Sequence, residues 1–220
     1  MRLVLECSYI DRMGTDKVLI IGFLWKGWDI TGEVDRSEYG NYGVWMALNW
    51  FSDDKNVTSK LYYSSTFSPW SGVDSALQYI EENRKKFDRI VLLWHSIGAD
   101  NAVELSEKLY MESIPVDLLI TIDLQAFWDS TTVSSNVSTA INYYQDNWWD
   151  LNPQNIINPN WDLLNLAEWN WVTNLQNIDA SSYCTFEKCP NPRWEQTFYH
   201  TDIDENLSDR VIRDIVSIIK

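Results

Sequence analysis

The sequence is poor in the residues that staple a small fold or bind metal. It contains three cysteines and two histidines among 220 residues. Three cysteines cannot all pair within one chain, and neither His95 nor His200 stands at a ligand-like spacing from them. A disulfide between Cys184 and Cys189 and a pair of reduced thiols both remain open. The sequence therefore predicts no metal site, and a chain of this length can bury a core without disulfides or a bound metal.

Basic residues and long apolar runs are also scarce. Lysine and arginine number 17 against 32 aspartates and glutamates, which gives a formal net charge of −15. Such a field repels phosphates and anionic lipid headgroups, so we expect neither nucleic acid nor an anionic membrane surface as a partner. The sequence shows no run of about 18 apolar residues and no visible signal peptide. We expect a soluble protein without an integral membrane segment, with the cytoplasm as the favoured compartment; the oligomeric state is left open.

Aromatic residues are abundant by contrast. The 13 tryptophans and 11 tyrosines are too many for a core alone, so some of them should line a cleft or a contact surface. Hydrophobic residues make up 45% of the chain and charged residues 22%, which is typical of a globular protein. The length favours a single domain over residues 1–220.

Short apolar runs alternate with amphipathic stretches along the chain. The runs are rich in β-branched residues and nearly unbroken, which predicts strands covered on both faces at 17–21, 57–63, 89–94 and 116–122. Apolar residues at helical spacing predict helices at 71–87 and 97–110, and a final helix that Asp204 caps. The alternation predicts the α/β class, with a doubly wound, mostly parallel sheet flanked by helices.

The segment 146–190 interrupts this alternation. It contains nine asparagines between Asn147 and Asn177 and five tryptophans. Because so long a connection is rarely structureless, we expect either a lid or insertion over the site, or a segment packed on the edge of the sheet. As a lid, it would place Trp148 and Trp149 in the substrate pocket.

The strongest motif lies where the third predicted strand meets the following helix. The residues VLLWHSIGA form an apolar strand that leads into Ser96, small residues and an amphipathic helix. Such a turn exposes a serine oxygen at the carboxyl end of the sheet and directs the N–H of Ile97 toward a reacting carbonyl. The motif resembles the G-x-S-x-G nucleophile elbow of α/β hydrolases, with Gly98 as its second glycine and His95 before the nucleophile.

Trp94 departs from the elbow motif, because it stands where the first glycine belongs. We expect its indole to be buried beneath the turn against small residues, with Gly98 and Ala99 keeping the turn intact. In the alternative, the indole distorts the turn and weakens the nucleophile.

A serine nucleophile requires a base and an acid that orients the base. His200 is the expected base, because it follows a strand-like run and precedes the final helix, whereas His95 would point away from Ser96. Asp123 is the favoured acid, since it closes the run VDLLITID and gives the chain order Ser, Asp, His of α/β hydrolases. Asp146, which follows the run INYYQ, is the alternative acid.

The run IIGFL at the end of the first predicted strand resembles the oxyanion turn of lipases. Gly22 would permit close approach of the backbone there, and Phe23 would join Ile97 as an N–H donor. The resemblance to lipase-like and esterase-like serine hydrolases covers residues 17–220 apart from 146–190.

This resemblance implies hydrolysis of carboxyl esters, possible also for thioesters, through an acyl-enzyme and without a cofactor. The tryptophan content favours a small-molecule ester with an apolar or aromatic group. A catalytically weakened hydrolase fold that serves as an aromatic-rich binding module is the second possibility.

Overall fold

The computed structural model describes most of the sheet and the helices that cover it. The described residues are 16–25, 42–64, 71–95, 98–124, 131–144, 163–168, 170–181 and 197–219. Within them the strands are β1 (Val18–Trp25), β2 (Val57–Ser64), β3 (Arg89–His95), β4 (Val116–Ile122), β5 (Thr132–Val133), β6 (Val137–Tyr144), β7 (Asn165–Leu166) and β8 (Asn174–Asp179). The helices are α1 (Tyr42–Trp50), α2 (Ser71–Asn83), α3 (Gly98–Met111) and α4 (Thr197–Ile219), and a short 3₁₀ helix (Arg84–Lys86) follows α2.

Six of the strands form one parallel sheet in the order β2-β1-β3-β4-β6-β8. Strands β5 and β7 form a separate two-stranded sheet. The buried apolar residues divide into two clusters, one for each face of the large sheet. One cluster holds α2 and α3 on the sheet, and the other holds α1 and α4. The predicted doubly wound α/β architecture is therefore confirmed.

The first strand extends further than the sequence predicted. Gly22 and Phe23 lie inside β1, which stays paired with β2 as far as Trp25, so the turn expected at these residues is wrong. Close packing explains the glycine at position 22 instead, because a Cβ atom there would lie 2.7 Å from Leu48 and 3.3 Å from Val44, both on α1. The glycine allows α1 to approach the sheet closely.

The final helix begins earlier than predicted. Helix α4 starts at Thr197, so Asp204 is not its cap, and His200 lies in the first helical turns rather than at the end of a strand. The buried stripe of α4 already includes Ile203, one turn before Leu207, and this stripe requires helical backbone ahead of Asp204. A short aromatic run such as TFYH does not distinguish strand from helix by its periodicity.

Part of the segment 146–190 belongs to the sheet. Strand β8 pairs in parallel with β6 from Thr139↔Asn174 to Tyr144↔Asp179, and it forms the edge of the sheet. Trp148 and Trp149 lie outside the described residues. The lid therefore stays a prediction, while residues 174–179 extend the sheet.

Candidate active site

The carboxyl edge of the central strands places Asp123 beside the end of β3, the strand that Ser96 follows in the sequence. Strands β3 and β4 pair in register up to His95↔Ile122. The next residue along the chain is Ser96 after β3 and Asp123 after β4. Adjacent strands lie about 4.8 Å apart, so the carboxyl ends of β3 and β4 are immediate neighbours.

This edge of the sheet also contains a topological switch point. The chain passes from β1 to β2 on one side and then returns to lay β3 on the other side of β1. The order of strands therefore reverses between β1 and β3, and ligands of open α/β sheets bind in the crevice outside the carboxyl ends at such a switch point. Helix α3 begins at Gly98, three residues after β3 ends at His95, which is the strand-to-helix context that the sequence predicted for Ser96.

Asp123 has an unusual backbone conformation. Its φ angle is 48°, in the left-handed region that few residues other than glycine, asparagine and aspartate adopt readily. Its N–H donates to the carbonyl of Tyr143 over 2.7 Å, and the residue is only 7% exposed. The chain therefore turns sharply at the end of β4 and keeps the carboxyl group near the sheet edge.

Tyr143 links the sheet to α4. Its ring is fully buried, and its hydroxyl donates to the carboxylate of Asp214 on α4. The Arg210 guanidinium lies 3.5 Å from the other oxygen of Asp214. Burial, reinforced by the bond to Asp214, raises the pKa of Tyr143 well above its ordinary value, so the hydroxyl remains a hydrogen-bond donor at any physiological pH.

The expected oxyanion donor Phe23 lies two residues before the end of β1 and pairs with Tyr62 and Trp94. Its ring stacks on the indole of Trp94, with centroids 3.6 Å apart and an interplanar angle of 11°. Trp94 is fully buried, as expected, but its partner is this aromatic ring rather than small residues. The role of the Phe23 N–H stays a prediction.

A row of side chains crosses the sheet at the level of Trp94. The row continues along the register through Thr121, Asn142 and Asn177. Thr121 Oγ1 donates to Asn142 Oδ1 over 2.8 Å, and Asn142 Nδ2 donates to Asn177 Oδ1 over 2.9 Å. Asn177 in turn exchanges hydrogen bonds with the backbone of Leu164, at 3.0 and 3.1 Å. The row ties the strands beneath the candidate site to the segment that precedes β8.

Two buried polar groups near this edge lack partners within the described part of the chain. The indole Nε1 of Trp94 and both amide atoms of Asn101, in the first turn of α3, make no hydrogen bond. Asn101 is 1% exposed. Buried groups of this kind usually bind an ordered water, and a polar group at this depth is costly otherwise.

The remaining predicted site positions lie outside the described residues. These are Ser96, Ile97, the alternative acid Asp146, Trp148 and Trp149, together with Cys184 and Cys189. The backbone of His200 is described, but its side chain is not. Tyr143 is the residue that sequence reasoning missed, because its partner Asp214 is 71 residues away and no local pattern connects the two.

Among the described residues, no group of three or more histidines, cysteines or acidic residues is arranged to hold a metal ion. No helix in that part of the chain is both long and apolar enough to cross a membrane.

A doubly wound α/β protein with a serine between β3 and α3 is the class that the fold and the chain define. No family model and no curated protein matches the sequence. Solved structures similar to it include an arylesterase, at 10% identity over 94% of this chain and 78% of that one, with a TM-score of 0.48. They also include a cutinase-like protein from Cryptococcus sp. (12% identity, 92% and 95% covered, TM-score 0.46) and human thioesterase 2 (8%, 92% and 96%, 0.45).

Proposed function

We propose that the protein is a serine hydrolase that cleaves carboxyl esters, or thioesters, of small molecules with an apolar or aromatic group. The observation that carries the proposal is the register of β3 and β4: their last paired residues, His95 and Ile122, are followed in the sequence by Ser96 and Asp123, and β3 borders the switch point of the sheet. Serine and aspartate at adjacent strand ends, with a histidine further along the chain, match the order of a Ser-Asp-His triad.

The proposed reaction has two steps. The Ser96 oxygen attacks the ester carbonyl while His200 takes the serine proton, and the proton then passes to the departing alcohol. Water attacks the acyl-serine in the same manner and releases the acid. Asp123 orients the imidazole and stabilises its charged form, and the N–H group of Ile97 is the expected donor to the oxyanion.

Replacement of the nucleophile tests the proposal. Ser96→Ala should lower turnover of short p-nitrophenyl esters by about 10⁴-fold or more and abolish labelling by a fluorophosphonate probe, because no other group in the triad can form the acyl-enzyme. Circular dichroism should show an unchanged fold. Full turnover by this variant would refute the hydrolase assignment.

One observation favours a second function. Trp171 is 82% exposed and Val172 is 70% exposed, and an exposed aromatic of this kind suits a binding module that stacks on a sugar or a peptide. Wild-type protein that is folded but not labelled by the fluorophosphonate would favour this module over the enzyme.

A further inference from the structure

Tyr143 contacts both the predicted acid and the helix that carries the predicted base. Its backbone carbonyl accepts the N–H of Asp123 at 2.7 Å. Its side-chain hydroxyl donates to Asp214 on α4, the helix whose first turns contain His200. Both bonds therefore belong to one residue: the first is to the backbone carbonyl of Tyr143, and the second is from its side chain.

The conformation of Asp123 makes the first of these bonds consequential. Aspartate tolerates a left-handed backbone better than most residues, but its surroundings still decide whether the turn keeps that conformation. The Tyr143 carbonyl supplies a direct backbone restraint on this turn. The direction of the Asp123 carboxyl group therefore depends on where the end of β6 lies.

The second bond adds a side-chain contact to that end, with which β4 and β8 also pair on either side. The Tyr143 ring is fully buried against the face that α4 covers, and Arg210 lies beside the same carboxylate that accepts the hydrogen bond from the hydroxyl. A buried hydrogen bond to a charged acceptor is stronger than one between neutral groups. Loss of the hydroxyl would leave the Asp214 carboxylate partly buried with one partner fewer.

We propose that Tyr143 is a positioning residue, whose bond to Asp214 holds the carboxyl group of Asp123 in the direction that the catalytic imidazole requires. This inference rests on the proposed function, and it selects Asp123 over Asp146 as the acid. Tyr143 itself does not touch substrate; it acts through the backbone of Asp123.

The test compares variants of the full chain on a short p-nitrophenyl ester. Tyr143→Phe keeps the ring and removes the bond, so kcat should fall by about 10-fold to 100-fold at an unchanged KM, as expected when a catalytic group is misplaced. Asp214→Asn keeps an oxygen that can accept a hydrogen bond from the hydroxyl and should retain most of the activity, whereas Asp214→Ala should reproduce the loss. Val211→Ala, on the buried stripe of the same helix, is the matched control: it should lower the melting temperature and leave kcat unchanged.

A double-mutant cycle identifies the residue through which Tyr143 acts. In an Asp123→Asn background, Tyr143→Phe should cause little further loss of kcat, because the group that it positions is already gone. In an Asp146→Asn background, its full effect should persist. An additive loss in the Asp123→Asn background, or a kcat for Tyr143→Phe equal to that of the Val211→Ala control, would overturn the inference. The proposed function fails separately, if Ser96→Ala keeps its turnover.

Discussion

Trp94 is the residue at which this chain departs most from the elbow motif, and the structure gives the departure a physical reason. The indole stacks on Phe23 in the neighbouring strand and is fully buried between the sheet and the helices α2 and α3. A stacked aromatic pair contributes packing area that a glycine in this position could not provide. The large side chain therefore belongs to the core beneath the turn.

Trp94→Gly should lower the free energy of unfolding by about 3–5 kcal/mol, because it leaves a large cavity under Phe23. Urea denaturation followed by circular dichroism measures the change. Trp171→Ala is the matched control, since that indole is 82% exposed and its loss should change stability by no more than about 0.5 kcal/mol. A gain in esterase kcat without loss of stability in Trp94→Gly would instead mean that the indole distorts the turn.

The two candidate acids differ in what a neutral substitution should do. Asp123→Asn should lower kcat by about 10⁴-fold with little change in KM, because the acid orients and stabilises the histidine without binding substrate. Asp146→Asn should leave both constants near the wild-type values. The reverse outcome would assign the acid to Asp146, two residues after β6 in the sequence.

At the scale of elements, the sequence predicts strands better than it predicts how they are joined. The bounds of β4 agree with the prediction, because its β-branched run is enclosed by Pro115 and Asp123. The predicted start of α4 was wrong, because the aromatic residues before Ile203 are compatible with a strand as well as with a helix. The polar row from Thr121 to Asn177 was invisible, because it exists only through the register of three strands.

The same limit applies to the candidate site. The sequence alone places Ser96 between a strand and a helix, since periodicity is a local property. The restraint on Asp123 depends on Tyr143, a neighbour in space that lies 20 residues further along the chain. The packing role of Gly22 depends in the same way on Leu48 of α1.

The asparagine contacts at the edge of the sheet give a prediction at this scale. Asn177→Ala removes the acceptor of Asn142 and the amide that bonds the backbone of Leu164. Hydrogen exchange should therefore accelerate in β7 and β8, by about 10-fold or more, while β1 and β3 keep their protection. Asn174→Ala, at an exposed position of the same strand, is the control and should leave both regions unchanged. Uniform acceleration across all strands would show that the row stabilises the whole sheet instead.

At the scale of the whole molecule, the excess of 32 acidic over 17 basic residues makes stability depend on pH. Burial, reinforced by the charge of Glu104, raises the pKa of Glu107 on α3. Burial likewise raises the pKa of Glu104, although Lys108 opposes the shift. A carboxyl group with a raised pKa binds its proton more readily in the folded state than in the unfolded state. The folded state is therefore stabilised as the pH falls toward the ordinary glutamate pKa, and this stabilisation is lost as the pH rises.

We expect the melting temperature to rise as the pH is lowered from about 7 to about 5, and Glu107→Gln to flatten this rise. Glu112→Gln removes the same formal charge from an exposed position just after α3 and serves as the control. Melting curves across that range measure the slope for each variant. Equal slopes for the two variants would attribute the pH dependence to net charge alone.

Strand β8 has a further consequence for how the chain behaves while it folds. Among the strands that the structure describes, it has a neighbour on one side only, and its sequence NLQNID contains neither lysine nor proline. The opposite edge, β2, carries Lys60, whose ammonium lies 4.9 Å from the centre of the Tyr79 ring. Charged and kinked edges discourage another chain from adding a strand, and β8 lacks these safeguards over most of its length. In concentrated refolding mixtures, strand pairing between molecules is therefore expected at the β8 edge. Gln176→Lys would be the smallest change that protects this edge.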